Sequence, residues 1–231
     1  MRLRFLNIVA VIAALVFSPL SAFGAGISFD AGGVRVHRSV RSLHEMRQSS
    51  VVRQRWDLSC GPAALSTLLT HHFGDPVSEA AVVMSIMRTA DPEKIRLQGG
   101  FSLLDLKRFA RSRGYEGKGY GGLTLTELAG LGMPAIVPAR LNGYDHFVVF
   151  RELRGDRVIL ADPAFGTVTM TAGRFLEIWD KGGIAFIVFR PGSPPPRGLA
   201  ARHEEFLVPD GSALTRATLR MNPVPSTRLN P

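Results

Sequence analysis

The stretch QRWDLSCGPAALSTLL, residues 54–69, holds the only cysteine of the 231-residue chain and opens its first clear helical pattern. Pro62 suits the first turn of a helix, because the N–H that proline lacks would have no intrahelical acceptor there. Apolar residues, among them Leu65 and Leu69, follow at helical spacing. Cys60 is therefore predicted at the N-terminal end of a helix, where unpaired N–H groups and the helix dipole stabilise a thiolate.

A free cysteine is also a common core residue, so the position of Cys60 leaves two interpretations open. As a structural residue, it would pack without chemistry and could equally stand on the apolar face in mid-helix. As a nucleophile, it would need a base and a third group that orients the base.

Candidates for these partners lie on both sides of Cys60. His146 starts the predicted strand HFVVFREL, and Asp162 lies near the end of the next predicted strand, RVILADP. An antiparallel turn near Gly155 would bring both side chains to the same end of a hairpin, where the carboxylate could orient the imidazole. The amide of Gln54 could donate to an oxyanion. Alone, a histidine at a strand start and an Asp-Pro turn are ordinary features; their combination favours a nucleophilic site.

The motifs QRWDLSCGPAAL, HFVVF and DPAFG together resemble those of the C39 cysteine peptidases over residues 54–190. These are papain-like double-glycine leader peptidases, best known as domains of bacteriocin-exporting ABC transporters. The resemblance implies that Cys60 is the nucleophile, His146 the general base and Asp162 its orienting group. It also implies that Gln54 and the backbone N–H of Cys60 stabilise the oxyanion.

Family transporters join this domain to membrane helices and an ATPase, and the sequence shows neither pattern. A stand-alone exported member is more similar to the accessory peptidases of secretion systems for extracellular fibres, functional amyloid included. The predicted function is an exported cysteine peptidase that cleaves a secreted or fibre-forming substrate, with a Gly-Gly type site suggested by the family. A non-hydrolytic peptidase-fold chaperone or binding module, and a papain-like amidase, remain as alternatives.

Residues 1–24 resemble a secretory signal peptide. Arg2 and Arg4 form its basic start, and the uncharged run 5–17 is too short for a bilayer core that needs about 20 residues. Cleavage after Gly24 would give a periplasmic or secreted protein with no transmembrane span, and a retained anchor is the alternative. The rest is predicted as an exposed arm at 25–50, a peptidase domain at 51–190 and a Pro-rich tail at 191–231.

The formal net charge is +9, and about +7 without the two leader arginines. These basic residues are dispersed, and no basic helix or zinc finger is present, which argues against nucleic-acid binding. The expected partners are a peptide or protein substrate and components of a secretion system for extracellular fibres. No cofactor or metal is predicted, because adjacent residues such as His71 and His72 point in different directions from a helix.

Helical patterns fill the first half of the core and strand patterns the second, which predicts an α+β fold with an antiparallel sheet. Ser78 and Ser102 are predicted helix caps. The predicted helices are GPAALSTLLTHHFG, VSEAAVVMSIMRTA, SLLDLKRFARSRGY, TLTELAGLG and AGRFLEIWDKG. The predicted strands are MPAIVPARL, HFVVFREL, RVILADP, TVTMT and GIAFIVFR.

Overall fold

The computed structural model describes residues 26–31, 34–39, 42–141, 143–179, 182–202 and 205. The predicted signal peptide lies outside these residues, as does the tail beyond residue 205.

The segment predicted as an N-terminal arm contains regular structure. Strands β1 (Gly26–Ala31) and β2 (Val34–Ser39) pair as an antiparallel hairpin. Helix α1 (Leu43–Gln48) follows. The sequence patterns predicted none of these three elements.

The central helix is α2 (Cys60–Thr67), whose eight residues are all buried. A π-helical turn, Leu68–His72, continues it. A short helix rich in small residues can be enclosed on all sides, which explains why α2 has no exposed face.

Three further helices precede the main sheet: α3 (Glu79–Met87), α4 (Pro92–Leu97) and α5 (Leu103–Ser112). The predicted caps are confirmed. The side chain of Ser78 accepts the N–H of Ala81, and Ser102 forms a capping box with Asp105.

A six-stranded antiparallel sheet forms the second half, in the order β3-β8-β4-β5-β6-β7. Its strands are β3 (Glu116–Tyr120), β4 (Ala135–Leu141), β5 (Tyr144–Arg154), β6 (Arg157–Asp162), β7 (Gly166–Thr171) and β8 (Ala185–Phe189). Helix α6 (Leu125–Gly130) lies between β3 and β4 in the chain, and α7 (Ala172–Ile178) follows β7.

The sheet is buried on both faces, because neighbouring strand residues contribute to two different cores. Ile136 and Val149 belong to the cluster that includes the apolar side chains of α2, α3 and α5. Val137 and Val148 belong to the cluster with side chains of α6 and α7. The predicted α+β fold with an antiparallel sheet is confirmed, and the additional elements are α1, α4 and β1 to β3. Within the part of the chain that the structure describes, no helix has the length and apolar character to cross a membrane.

Candidate active site

Cys60 is the first residue of α2, with Ser59 as the N-cap. Its N–H therefore belongs to the first turn of the helix, where backbone donors have no intrahelical acceptor. The side chain is buried and lines a cavity of about 580 Å³ together with His146, Phe147 and the chain at residues 98–102. The thiol thus lies at a helix N-terminus and faces a space large enough for a short peptide segment.

His146 lies near the start of β5 and contacts both predicted partners. Its Nε2 is 2.9 Å from Oδ1 of Asp162, and the thiol of Cys60 lies close enough to the ring to raise the pKa of the imidazole. Because Nε2 is occupied by the carboxylate, Nδ1 is the ring atom left for the sulfur. The antiparallel pairing of β5 with β6 produces this contact, since the start of one strand lies beside the end of the other.

The carboxylate of Asp162, the last residue of β6, is fixed by the backbone that follows it. Its Oδ1 accepts the N–H of Ala164 at 2.7 Å and the N–H of Phe165 at 3.2 Å, in addition to the bond with His146. Two backbone donors hold the oxygen in place whatever the state of the ring. The Asp-Pro turn therefore does both jobs that the sequence left open: it reverses the chain and orients an imidazole.

The electrostatics of His146 favour its protonated form. Burial alone lowers the pKa of the ring, but hydrogen bonds and negative charge from Asp162 and Cys60 outweigh burial and raise the pKa to about 9. The imidazolium is therefore the main form at neutral pH. The protonated ring can give a proton to a leaving group.

Asp145, the direct neighbour of His146, does not orient the imidazole. Its side chain is almost fully exposed and pairs with Arg140 across the β4–β5 hairpin at 3.2 Å. Adjacent strand residues point in opposite directions, so this carboxylate cannot share the ring with the thiol.

Gln54 lies beside the turn that follows Asp162. Its backbone N–H donates to the carbonyl of Pro163 at 3.0 Å, and its Nε2 donates to the carbonyl of Trp56 at 3.1 Å. A side-chain amide has two N–H groups, so one remains for an oxyanion. Gln54 thus lies next to the turn that carries Asp162, although it is not among the residues that line the cavity.

Two residues that the sequence analysis did not single out form hydrogen bonds on either side of Gln54. Arg53 donates through Nε to the carbonyl of Pro163 at 3.0 Å and through its guanidinium to the carbonyl of Ala164. Glu79 accepts the N–H of Arg55 at 2.9 Å and the hydroxyl of Ser59. Their signals in the sequence are ordinary ones: a surface arginine, and an acidic residue in the first turn of a helix.

His71 and His72 lie in the π-helical turn. Neither is among the residues that line the cavity beside Cys60. Burial lowers the pKa of His72 to about 4, so this ring is neutral, and burial followed by the charge of Arg151 lowers the pKa of His71. Across the described ranges, no group of three or more His, Cys, Asp or Glu side chains is arranged to hold a metal ion.

Comparison with known proteins assigns the chain to a group. The family model described as "Peptidase C39 family" matches residues 48–191. The chain is 38% identical over 202 residues to a Pseudomonas aeruginosa protein named "Probable functional amyloid protease FapD", covering 84% of this chain and 88% of that protein. A Pseudomonas fluorescens protein of the same name is 36% identical over 180 residues, covering 77% of each chain.

A solved structure supports the fold. The peptidase domain of Streptococcus ComA, described as a bi-functional ABC transporter involved in a quorum sensing pathway, superposes with a TM-score of 0.51 at 23% identity. The match covers 61% of this chain and 98% of that domain. The helices and antiparallel sheet described above are thus those of a papain-like peptidase domain, and the chain belongs to the peptidase C39 family.

Proposed function

We propose that this protein is an exported cysteine peptidase that cleaves a secreted or fibre-forming substrate of a bacterial export system, after a Gly-Gly type site. One observation carries the proposal: Cys60 and His146 line the same cavity of about 580 Å³, and Nε2 of His146 is 2.9 Å from Oδ1 of Asp162. This arrangement is that of a nucleophile, a base and an orienting carboxylate.

The chemistry is acyl transfer through a thioester. The thiolate sulfur of Cys60 attacks the peptide carbonyl carbon, and the oxyanion accepts hydrogen bonds from Gln54 and the backbone N–H of Cys60. The C–N bond then breaks, and His146 gives its proton to the leaving amine. A water molecule attacks the thioester and His146 takes one of its protons. The C–S bond breaks, the carboxylic acid leaves with the other proton, and the thiolate of Cys60 and the protonated His146 are restored.

The substrate class rests on two supports. The relatives in both Pseudomonas species carry the name functional amyloid protease, which favours a protein of a fibre-forming system over a cell-wall or small amide substrate. The resemblance of QRWDLSCGPAAL to the double-glycine leader peptidases favours a Gly-Gly site.

The N-terminal sequence supports the proposed place of action. A basic start, an apolar run and small residues at 22 and 24 support export by a cleaved signal and hence a periplasmic or secreted enzyme. Fractionation of cells that produce the full chain, with N-terminal sequencing of the exported form, tests this part. Recovery of the protein only from the cytoplasm would contradict it.

The activity is tested with a peptide library, using the unchanged protein and the Cys60→Ala variant. Cleavage products should share a small set of sites dominated by Gly-Gly, and the variant should yield none while melting at a similar temperature. Cleavage by Cys60→Ala equal to that of the unchanged protein would end the proposal.

The alternatives give different results with a thiol-reactive probe. Stoichiometric labelling of Cys60 near pH 7 is expected for either a peptidase or an amidase, because both need the thiolate. A chaperone or binding module needs no thiolate, so an inert thiol in a protein that still binds peptides would favour that function. Turnover of small amides without any peptide cleavage would favour the amidase.

A further inference from the structure

Glu79 is a buried carboxylate that points towards the loop before the nucleophile. The side chain is 3% exposed, and its Oε1 accepts the N–H of Arg55 at 2.9 Å and the hydroxyl of Ser59. No ion pair of Glu79 with an arginine, lysine or histidine occurs in the ranges that the structure describes. Both hydrogen bonds therefore hold one segment, residues 55–59, which directly precedes Cys60.

This position is unusual for an acidic residue that serves only its own helix. The N-cap of α3 is already formed by the side chain of Ser78. A favourable interaction with the helix dipole is available to an exposed side chain, as Glu93 shows in the first turn of α4, where it is exposed and paired with Arg96 at 2.6 Å. Burial of a carboxylate is costly unless hydrogen bonds compensate, so the partners of Glu79 explain its position.

The carbonyl of Trp56 is the point where the loop holds Gln54. That oxygen accepts Nε2 of Gln54 at 3.1 Å and the N–H of Ser59 at 3.2 Å, and the hydroxyl oxygen of Ser59 lies 2.7 Å from it. A hydroxyl group has one proton, and a carboxylate is a stronger acceptor than a carbonyl. When Ser59 donates its hydroxyl proton to Glu79, the two acceptor sites of the Trp56 carbonyl remain for the N–H of Ser59 and Nε2 of Gln54.

We propose that Glu79 is a positioning residue for the oxyanion site, acting through Ser59 and Trp56 on the amide of Gln54. The carboxylate holds the loop 55–59 in place. This loop connects the oxyanion donor, Gln54, to the nucleophile, Cys60. The inference rests on the proposed function, because an oxyanion forms only if Cys60 attacks a carbonyl.

Two substitutions separate positioning from simple packing. Glu79→Ala removes the acceptor, so the loop loses both anchors, and kcat is expected to fall by about tenfold to 10²-fold with little change in KM. Glu79→Gln keeps an acceptor oxygen at the same place and should restore most of kcat. Glu93→Ala, at the first turn of another helix and without contact to the loop, is the matched control and should keep the kcat of the unchanged protein.

The rate at which iodoacetamide alkylates Cys60 separates a positioning role from a general loss of structure, because only a loss of structure should change that rate. In this reaction the thiolate displaces iodide and no oxyanion forms, so Glu79→Ala should be alkylated at the rate of the unchanged protein. The best peptide from the library serves as the substrate for kcat and KM, measured well below the melting temperature of each variant.

The double variant Glu79→Ala, Gln54→Ala decides the pathway. If Glu79 acts through Gln54, the double variant should lose no more kcat than Gln54→Ala alone, since residues that act as a unit are not additive. An unchanged kcat in Glu79→Ala, a parallel loss of alkylation, or losses that multiply in the double variant would each overturn the inference. Absence of cleavage by the unchanged protein would instead overturn the proposed function and this inference with it.

Discussion

At the scale of single residues, His146 has one partner on each side of its ring. Asp162 and Cys60 raise the pKa of the ring to about 9 against the opposing effect of burial. The folded protein therefore binds the proton more tightly than the unfolded chain, whose histidine pKa is about 6.5. Stability from this group is fully present below pH 6.5 and is lost as the pH rises through about 9.

The same titration predicts the alkaline limb of activity. His146 must be protonated to give a proton to the leaving amine, so kcat/KM should decline above pH 9, with an apparent pKa of about 9. A pH–rate profile with a constant-ionic-strength buffer series measures it.

Asp162→Asn supplies the control for that assignment. The substitution removes the negative charge and the carboxylate hydrogen bond, so the alkaline limb should move down by about one to three pH units. A limb that stays at the same pH in Asp162→Asn would show that a group other than His146 controls it.

Gln54→Ala tests the oxyanion donor at the same scale. Loss of one such donor typically lowers kcat by about 10²–10³-fold, and we expect this range here. Alkylation of Cys60 by iodoacetamide should continue at an unchanged rate, because the thiol and its partners are intact. Peptide turnover within a factor of about two of the unchanged protein would remove Gln54 from the oxyanion site.

The sequence made some of these residues visible and hid others. Cys60, His146 and Asp162 could be brought together because a helix start and the common end of a hairpin are local features that the sequence encodes. Their catalytic roles stay predictions until variants are measured. Glu79 and Arg53 were not found, because their hydrogen bonds cross 24 and 110 positions of the chain and depend on how separate elements pack.

At the scale of elements, capping chemistry made the helices predictable. Ser78 and Ser102 mark the starts of α3 and α5, and an apolar periodicity follows each. Helix α4 has comparable signals in Asp91 and Pro92, but only Ile95 of its six residues is buried. A helix with one buried side chain shows no apolar repeat, so the sequence patterns did not indicate it.

The sequence patterns did not indicate strand β3 either, because its two glycines weaken a strand pattern. Its position in the sheet explains them in part. A Cβ added at Gly117 would lie 2.6 Å from Cζ of Phe186 on the paired strand β8. The ring of Phe186 occupies the space of a missing side chain, so glycine is required by packing and not by a turn.

Gly117→Ala should therefore destabilise the protein, and Gly119→Ala should not. The two glycines lie on the same strand, two residues apart, and an added Cβ at Gly119 meets no atom within 4 Å. We expect a loss of about 1–3 kcal/mol in the free energy of unfolding for Gly117→Ala, as is typical of overpacking. Equal values for the two variants in urea denaturation would contradict this account of the strand.

At the scale of the whole molecule, the first part of the predicted tail docks on the sheet. Arg151 lies at the β-bulge between Phe150 and Glu152, and its side chain is 1% exposed. Its guanidinium donates to Glu205 at 2.8 and 3.0 Å, and Nε donates to the carbonyl of Leu199 at 3.0 Å. The family match ends at residue 191, whereas these contacts continue to residue 205.

The sequence patterns could not indicate this docking, because the partner of Arg151 is distant in the chain. A regular β5 strand predicts alternate apolar residues, and a buried arginine in such a strand indicates a partner without identifying it. The partner lies 54 positions away, in a segment whose proline content favours an irregular chain. The contribution of Leu199 and Glu205 to the peptidase domain is thus visible only in the tertiary structure.

Glu205→Ala should lower the free energy of unfolding by about 3–5 kcal/mol, because it leaves the charge of Arg151 buried without its carboxylate. Glu177→Ala is the control, since it breaks an exposed pair with Arg174 and should cost no more than about 1 kcal/mol. Adding Arg151→Met to Glu205→Ala should recover part of the loss, because the uncompensated charge is removed with its partner. Urea denaturation of these three variants and the unchanged protein measures the differences. Equal stabilities of Glu205→Ala and Glu177→Ala would mean that the contact of Arg151 with Glu205 does not stabilise the domain.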